Sequence, residues 1–149
     1  MNTKPRIKVV FDTNILVRTT FQKRSPLSAR IYEAIEQQEC IVVTSPPILE
    51  EVRDVINRGY IIEYSHTTPE MRTTYLNHLI ELSILTPGTK QLHTSSRDKK
   101  DNMFLVCASE ANAQYIVTSD RDLLTMKVYD GTTIIPPHEF VSLLETGNL

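Results

Sequence analysis

The chain has 149 residues and a net charge of −2, with 16 basic against 18 acidic side chains. This length fits a single domain spanning 1–149, able to bury roughly two thirds of its unfolded surface without disulfide or metal staples. The near-neutral balance excludes a general polyanion-binding protein, so any nucleic-acid contact must use local basic residues or bound cations. No apolar run approaches the roughly 20 residues that cross a bilayer, and the N-terminus lacks a signal-peptide core. A cytoplasmic protein without a membrane partner is expected. Cys40 and Cys107 stand in no zinc-like or redox spacing and read as buried free thiols of a reducing compartment. His66, His78, His93 and His138 are equally scattered.

The stretch Arg6 to Asn14 reads as a central strand that delivers Asp12 at its carboxyl end. Val9, Val10 and Phe11 are consecutively apolar, as in a strand covered on both faces. Ile15, Leu16 and Val17 continue into a polar loop. Ser25-Pro26 is a helix start, followed by Leu27, Ile31, Ala34 and Ile35 at helical spacing. Ile41 to Thr44 is a second strand. Ser45-Pro46 opens a helix with an apolar stripe of Ile48, Leu49, Val52, Val55 and Ile56, which Gly59 is expected to stop in a left-handed conformation.

Thr68-Pro69-Glu70 opens a further helix with Met71, Tyr75, Leu79 and Leu82 on one face, before a short Ile84-Leu85 strand closed by Pro87-Gly88. Residues 88–97 read as surface loop. A helix from about Lys99 to Ala111 turns Phe104, Leu105, Ala108 and Ala111 inward, and Tyr115 to Thr118 is a buried strand ending in Ser119-Asp120-Arg121-Asp122. A last strand near Thr133 to Ile135 and a helix from Pro137 to about Glu145 close the chain. Alternating strands and helices predict an α/β fold, a three-layer α/β/α sandwich with a mostly parallel central sheet.

Ligands of such sheets bind outside the carboxyl ends of the strands. Asp12 and Asp120 both fall there, although Asp12 could simply cap a helix starting near Asn14. Glu51 lies roughly 100° from the centre of its helix's apolar stripe and Glu50 roughly 160° away, so Glu51 flanks the buried face and Glu50 points to water. Asp101 precedes Phe104 and Leu105 by three and four residues, inside the apolar stripe of its own helix, where a carboxylate needs a partner. The plainer reading is a first-turn acid with Asp98 as the cap. Four packed carboxylates repel one another unless a cation binds them, and hard oxygen ligands suit Mg²⁺ or Mn²⁺. The four glycines, Gly59, Gly88, Gly131 and Gly147, include none after the first strand, which removes the phosphate cradle of a dinucleotide-binding or P-loop enzyme. A phosphoacceptor Asp12 is disfavoured because Asn14 stands where haloacid-dehalogenase-like enzymes carry a second aspartate.

With Asp12-Thr13-Asn14, Ile48-Leu49-Glu50-Glu51-Val52, Asp101-Asn102-Met103-Phe104-Leu105 and Thr118-Ser119-Asp120-Arg121-Asp122-Leu123 in this order, the chain resembles a PIN-domain ribonuclease over nearly its whole length. More narrowly, it resembles the bacterial PIN proteins regarded as toxins of toxin–antitoxin pairs. The resemblance implies metal-dependent cleavage of single-stranded or structured RNA, with Asp12, Asp101 and Asp120 as ligands of Mg²⁺ or Mn²⁺ and Glu51 as the fourth acid. It leaves Glu50 and Glu51 undistinguished; only helix geometry separates them. Asn14 and Ser119 would orient acids or substrate, and Asp98 and Asp122 would hold waters or ligands. Lys99, Lys100, Arg97 and Arg121, with Arg18, Lys23 and Arg24 near the same edge, are candidate RNA contacts. A small antitoxin protein and a homodimer are further implications. A non-catalytic PIN-like module binding RNA or metal, a small-molecule phosphatase and a DNA nuclease stay open as alternatives.

Overall fold

The computed structural model describes residues 6–22, 25–92 and 99–149. Strand β1 (Lys8–Phe11) lies at the centre of a six-stranded sheet, flanked by β2 (Ile41–Thr44) and β4 (Tyr115–Val117). The order continues outward to β3 (Ser83–Leu85) on one side and to β6 (Thr132–Ile135) and β5 (Val128–Tyr129) on the other. Every pairing is parallel except β5 with β6, which form an antiparallel edge. Successive side chains of a strand point to opposite faces. Val9, Val10 and Phe11 are at most 1% exposed, so both faces of β1 are covered, as the unbroken apolar run predicts. Phe11 meets Phe140 edge to face, with ring centroids 5.5 Å apart.

The helices are α1 (Thr13–Val17), α2 (Pro26–Glu36), α3 (Pro46–Ile56), α4 (Gly59–Ser65), α5 (Pro69–Leu82), α6 (Asn102–Ala111), α7 (Arg121–Met126) and α8 (Pro137–Thr146). Serine or threonine side chains cap α2 and α5, where Ser25 accepts from the Ser28 N–H and Thr68 from the Met71 N–H; Pro26 and Pro69 begin the two helices. Among the described residues no helix is long and apolar enough to cross a membrane.

The structure departs from the sequence reading in several places. The polar run after Val17 is a π-helical turn, Arg18–Gln22, and no loop. Thr19 is buried there because its hydroxyl donates back to the Ile15 and Leu16 carbonyls. Gly59 does not stop a helix. The preceding helix ends at Ile56 with Asn57 as its cap, and Gly59 opens α4, an element the sequence reading lacked.

On α5 the buried positions are Arg72, Leu76 and Leu79, while Met71 is exposed. Arg72 can turn inward because its guanidinium donates to Asn57 Oδ1 and to the Thr67 carbonyl. The predicted helix from Lys99 starts as a 3-10 turn, Lys99–Asp101, that leads into α6. Helix α7 and strand β5 were also absent from the sequence reading.

β1 leads to β2 and β3 on one side, and the chain then crosses back to β4 on the other. The strand order therefore reverses between β1 and β4. In open α/β sheets a crevice forms at the carboxyl ends of the two strands at such a reversal.

Candidate active site

Asp12 follows β1 directly and is 6% exposed. Its backbone N–H continues the sheet by donating to the Val117 carbonyl at 3.1 Å. Its carboxylate does two jobs. Oδ1 accepts the Ile15 N–H at 2.8 Å and so caps α1, and Oδ2 accepts the Thr118 hydroxyl at 2.5 Å. Capping and facing the pocket are thus compatible roles of one side chain. Burial is the main cause that raises the Asp12 pKa, and nearby Asp120 adds to it. Hydrogen bonds from Thr118, Ile15 and Ser119 oppose the rise without cancelling it.

Thr118 ties the two strand ends together. Fully buried, it donates to Asp12 and accepts the Asp120 N–H at 2.9 Å. Asp120 in turn caps α7, its Oδ1 accepting the Asp122 and Leu123 N–H groups at 2.8 and 3.3 Å. On α3, Glu51 is half-buried and accepts the Thr13 hydroxyl at 2.5 Å, whereas Glu50 is exposed. The helix is therefore rotated as the apolar stripe requires. Asp101 sits at the N-cap position of α6, yet its side chain makes no capping bond; at 9% exposed it is buried against the same crevice.

The crevice is an open pocket of about 560 Å³, with Asp12, Glu51, Asp101 and Asp120 all in its wall. Asn14 and Ser119 also line it, as do Arg18, Lys100 and Arg121 among the expected basic residues. Lys99 and Asp122 do not. Arg97, Asp98, Lys23, Arg24 and His93 lie outside the described residues. Three residues with a part here went unassigned in the sequence. Thr13 and Thr118 are hydroxyls beside the two strand-end acids, a positional signal that was available. Arg58, which also lines the pocket, sits at the junction of α3 and α4. It was hidden because α4 itself was not foreseen.

Among the described residues, no three His, Cys, Asp or Glu side chains converge closely enough to hold a metal ion. The hydrogen bonds give a reason. Asp12, Glu51 and Asp120 each have carboxylate oxygens engaged by protein donors, which hold them to the walls of the pocket. The cysteines are free and buried as expected. Burial pushes Cys40 up to about 12 and Cys107 up to about 11, so neither is a nucleophile at neutral pH.

The fold and pocket can be set against known proteins. VapBC2 from Rickettsia felis, solved bound to a DNA fragment from its promoter, is similar with a TM-score of 0.58 at 12% identity, covering 87% of this chain and 98% of that one. PAE2754 from Pyrobaculum aerophilum is similar with a TM-score of 0.56 at 12% identity, covering 95% of this chain and 90% of that one. At such identity these likenesses speak for the fold alone. No curated protein matches the sequence. The family model of the PIN domain, whose members are generally nucleases, matches residues 8–122, from β1 to the first turn of α7, and so takes in all four pocket acids. The chain belongs to the PIN domain family.

Proposed function

We propose that the protein is a metal-dependent endoribonuclease and the toxin of a toxin–antitoxin pair. One observation carries this reading. Four carboxylates from four separate segments face one open pocket at the strand-order reversal, and basic side chains share its wall.

The donor set fits a hard divalent cation. Carboxylate oxygens are the preferred ligands of Mg²⁺ and Mn²⁺; burial is the main cause of the raised Asp12 pKa, and the charge of Asp120, which adds to it, is the part a cation would relieve. Asp12, Asp101 and Asp120 would hold it, with Glu51 as the fourth acid. When bound, the cation supplies polarisation of the phosphoryl oxygens and a water of lowered pKa. The chain's own residues do the rest. The Thr118 hydroxyl fixes the Asp12 carboxylate, and the Thr13 hydroxyl fixes Glu51. Arg18, Lys100 and Arg121 offer donors to backbone phosphates, which positions RNA without specifying its sequence. Asn14 and Ser119 stand where they can orient substrate.

A second reading, a non-catalytic PIN module that binds RNA or metal, is favoured by the lack of a preformed three-acid metal site among the described residues. A small antitoxin as partner is part of this reading, as the resemblance to toxin–antitoxin PIN proteins implies. A homodimer and a cytoplasmic location complete the proposal. The test is to offer the purified protein single-stranded RNA, a DNA of the same sequence and a chromogenic phosphomonoester, each with and without Mg²⁺ or Mn²⁺. Metal-dependent endonucleolytic cleavage of the RNA is expected. Binding without turnover would favour the module, and cleavage of DNA or the monoester alone would overturn the ribonuclease assignment.

A further inference from the structure

Helix α4 carries two rings that the interior does not take. Ile61 is buried on its inner side, while Tyr60 is 62% exposed and Tyr64, one turn on, is 49% exposed. Residues four apart on a helix lie within roughly 40° of one another and about 6 Å apart along its axis, so the rings share one outward face. The place of this face matters. Arg58, the residue that caps α4, lines the acid pocket. Helix α4 also packs against α3, which holds Glu51, and against the π-helical turn that begins with Arg18. The helix that bears the tyrosines thus begins at one wall of the pocket, through Arg58, although neither ring lines the pocket itself.

We infer that Tyr60 and Tyr64 form a stacking platform for unpaired bases of single-stranded RNA, with Arg58 holding the phosphate where the strand turns into the pocket. The inference rests on the ribonuclease reading and names the class of substrate it takes. Successive bases stack on exposed aromatic rings while a basic residue tracks the backbone, an arrangement indifferent to sequence but selective against duplex, whose bases are already stacked. Charge on α4 favours base contact over backbone contact. The exposed acid Glu63 lies roughly 60° around the helix from Tyr60, which disfavours a phosphate chain running over the helix and leaves that task to Arg58. A protein partner on the same face is the competing occupant. Continuity with the acid pocket through Arg58 favours RNA.

The 149-residue chain carrying Asp12→Asn, which should suppress cleavage, is titrated with a fluorescein-labelled single-stranded RNA and with the same RNA annealed to its complement. Tyr60→Ala and Tyr64→Ala should each weaken single-strand binding by at least about fivefold, the low end of what one base–aromatic stack contributes. Tyr60→Phe should stay within about twofold, and duplex binding should change little. With Asp12 restored, Tyr60→Ala should raise KM by a similar factor and leave kcat within about twofold. Because both rings point outward, far-ultraviolet spectra should be unchanged. Single-strand binding that is indifferent to both alanine variants overturns the inference, as does an alanine variant that loses self-association with RNA binding intact. The two proposals fail separately. Tyrosine-dependent binding without any cleavage sinks only the nuclease reading, and cleavage with unaltered KM sinks only the platform.

Discussion

The two adjacent glutamates of α3 give a sharp test, because substituting either one removes a single charge from the same helix. Glu51 accepts the Thr13 hydroxyl and lines the pocket, whereas Glu50 is exposed. Glu51→Gln keeps an amide oxygen where the carboxylate was, so the bond from Thr13 survives as a neutral one. A hydrogen bond to a charged group is worth about 1.5–3 kcal/mol against about 1 for a neutral pair, so the folded state should lose on the order of 1 kcal/mol. The larger effect belongs to catalysis. Losing one of the four pocket carboxylates should lower the rate of metal-dependent RNA cleavage at least about tenfold, which corresponds to roughly 1.4 kcal/mol of transition-state stabilisation. Glu50→Gln should stay within a factor of about two or three, as for an ordinary surface change. Both variants are assayed as initial rates under the same metal and salt, alongside urea melts. Equal losses in the two variants would mean that only the global field matters. A crippled Glu50→Gln beside an active Glu51→Gln would refute the pocket assignment.

Mg²⁺ or Mn²⁺ should raise the melting temperature of the wild type and raise that of Asp101→Asn less, because a ligand that binds only the folded state stabilises it by mass action. Equal shifts would remove Asp101 from the metal-binding acids. Thr118→Val should lower stability by about 1–3 kcal/mol in chemical denaturation, since it removes the donor to Asp12 Oδ2 and the acceptor of the Asp120 N–H at a fully buried position. A neutral result would show that another donor replaces the hydroxyl. On the far side of the molecule, the Arg30 guanidinium lowers the Glu39 pKa below its ordinary value of 4.5 through a paired hydrogen bond. A depressed carboxylate pKa contributes stability above the unfolded value that is lost as the pH falls through the folded one. The stability difference between wild type and Glu39→Gln should therefore be small, positive and constant near neutrality, should begin to shrink as the pH falls past the ordinary value of 4.5, and should vanish below the lower folded-state value. A difference that grows with acid would reverse the assigned sign.

The centre of the fold was legible because its signals are local and repeated. Three adjacent apolar residues in β1, ended by a polar Asp-Thr-Asn, suit a strand covered on both sides, and Ser-Pro or Thr-Pro pairs announced α2, α3 and α5. From those elements the four acids could be assigned to one sheet edge, and the pocket lined by all four agrees with that assignment. The parts that escaped depend on distant partners. Arg72 reads as a surface residue until Asn57 and the Thr67 carbonyl are brought to it, and Gly59 looks like a stop until Asn57 is seen to end the helix two residues earlier. The six-residue α7 is short and amphipathic only in part, so its start at the Asp120 cap carried the signal that its periodicity did not. How tightly the acids converge was also beyond the sequence, because it depends on hydroxyl partners such as Thr13 and Thr118.

The central claim is that the crowded acids of this pocket perform metal-dependent RNA cleavage, and Asp12 is the residue on which most of the geometry converges. Asp12→Asn preserves the shape of the side chain and an oxygen to accept the Ile15 N–H. It also removes a buried negative charge whose pKa is raised by burial and by Asp120, so the metal-free protein should stay folded and at least as stable at neutral pH. The measurement is the rate of single-stranded RNA cleavage by cleanly purified wild type and Asp12→Asn, with Mn²⁺ or Mg²⁺ and with chelator. Cleavage by the wild type that needs the metal and disappears in the folded variant is the predicted result. Equal cleavage by the two proteins, or cleavage that survives the chelator, would contradict the account.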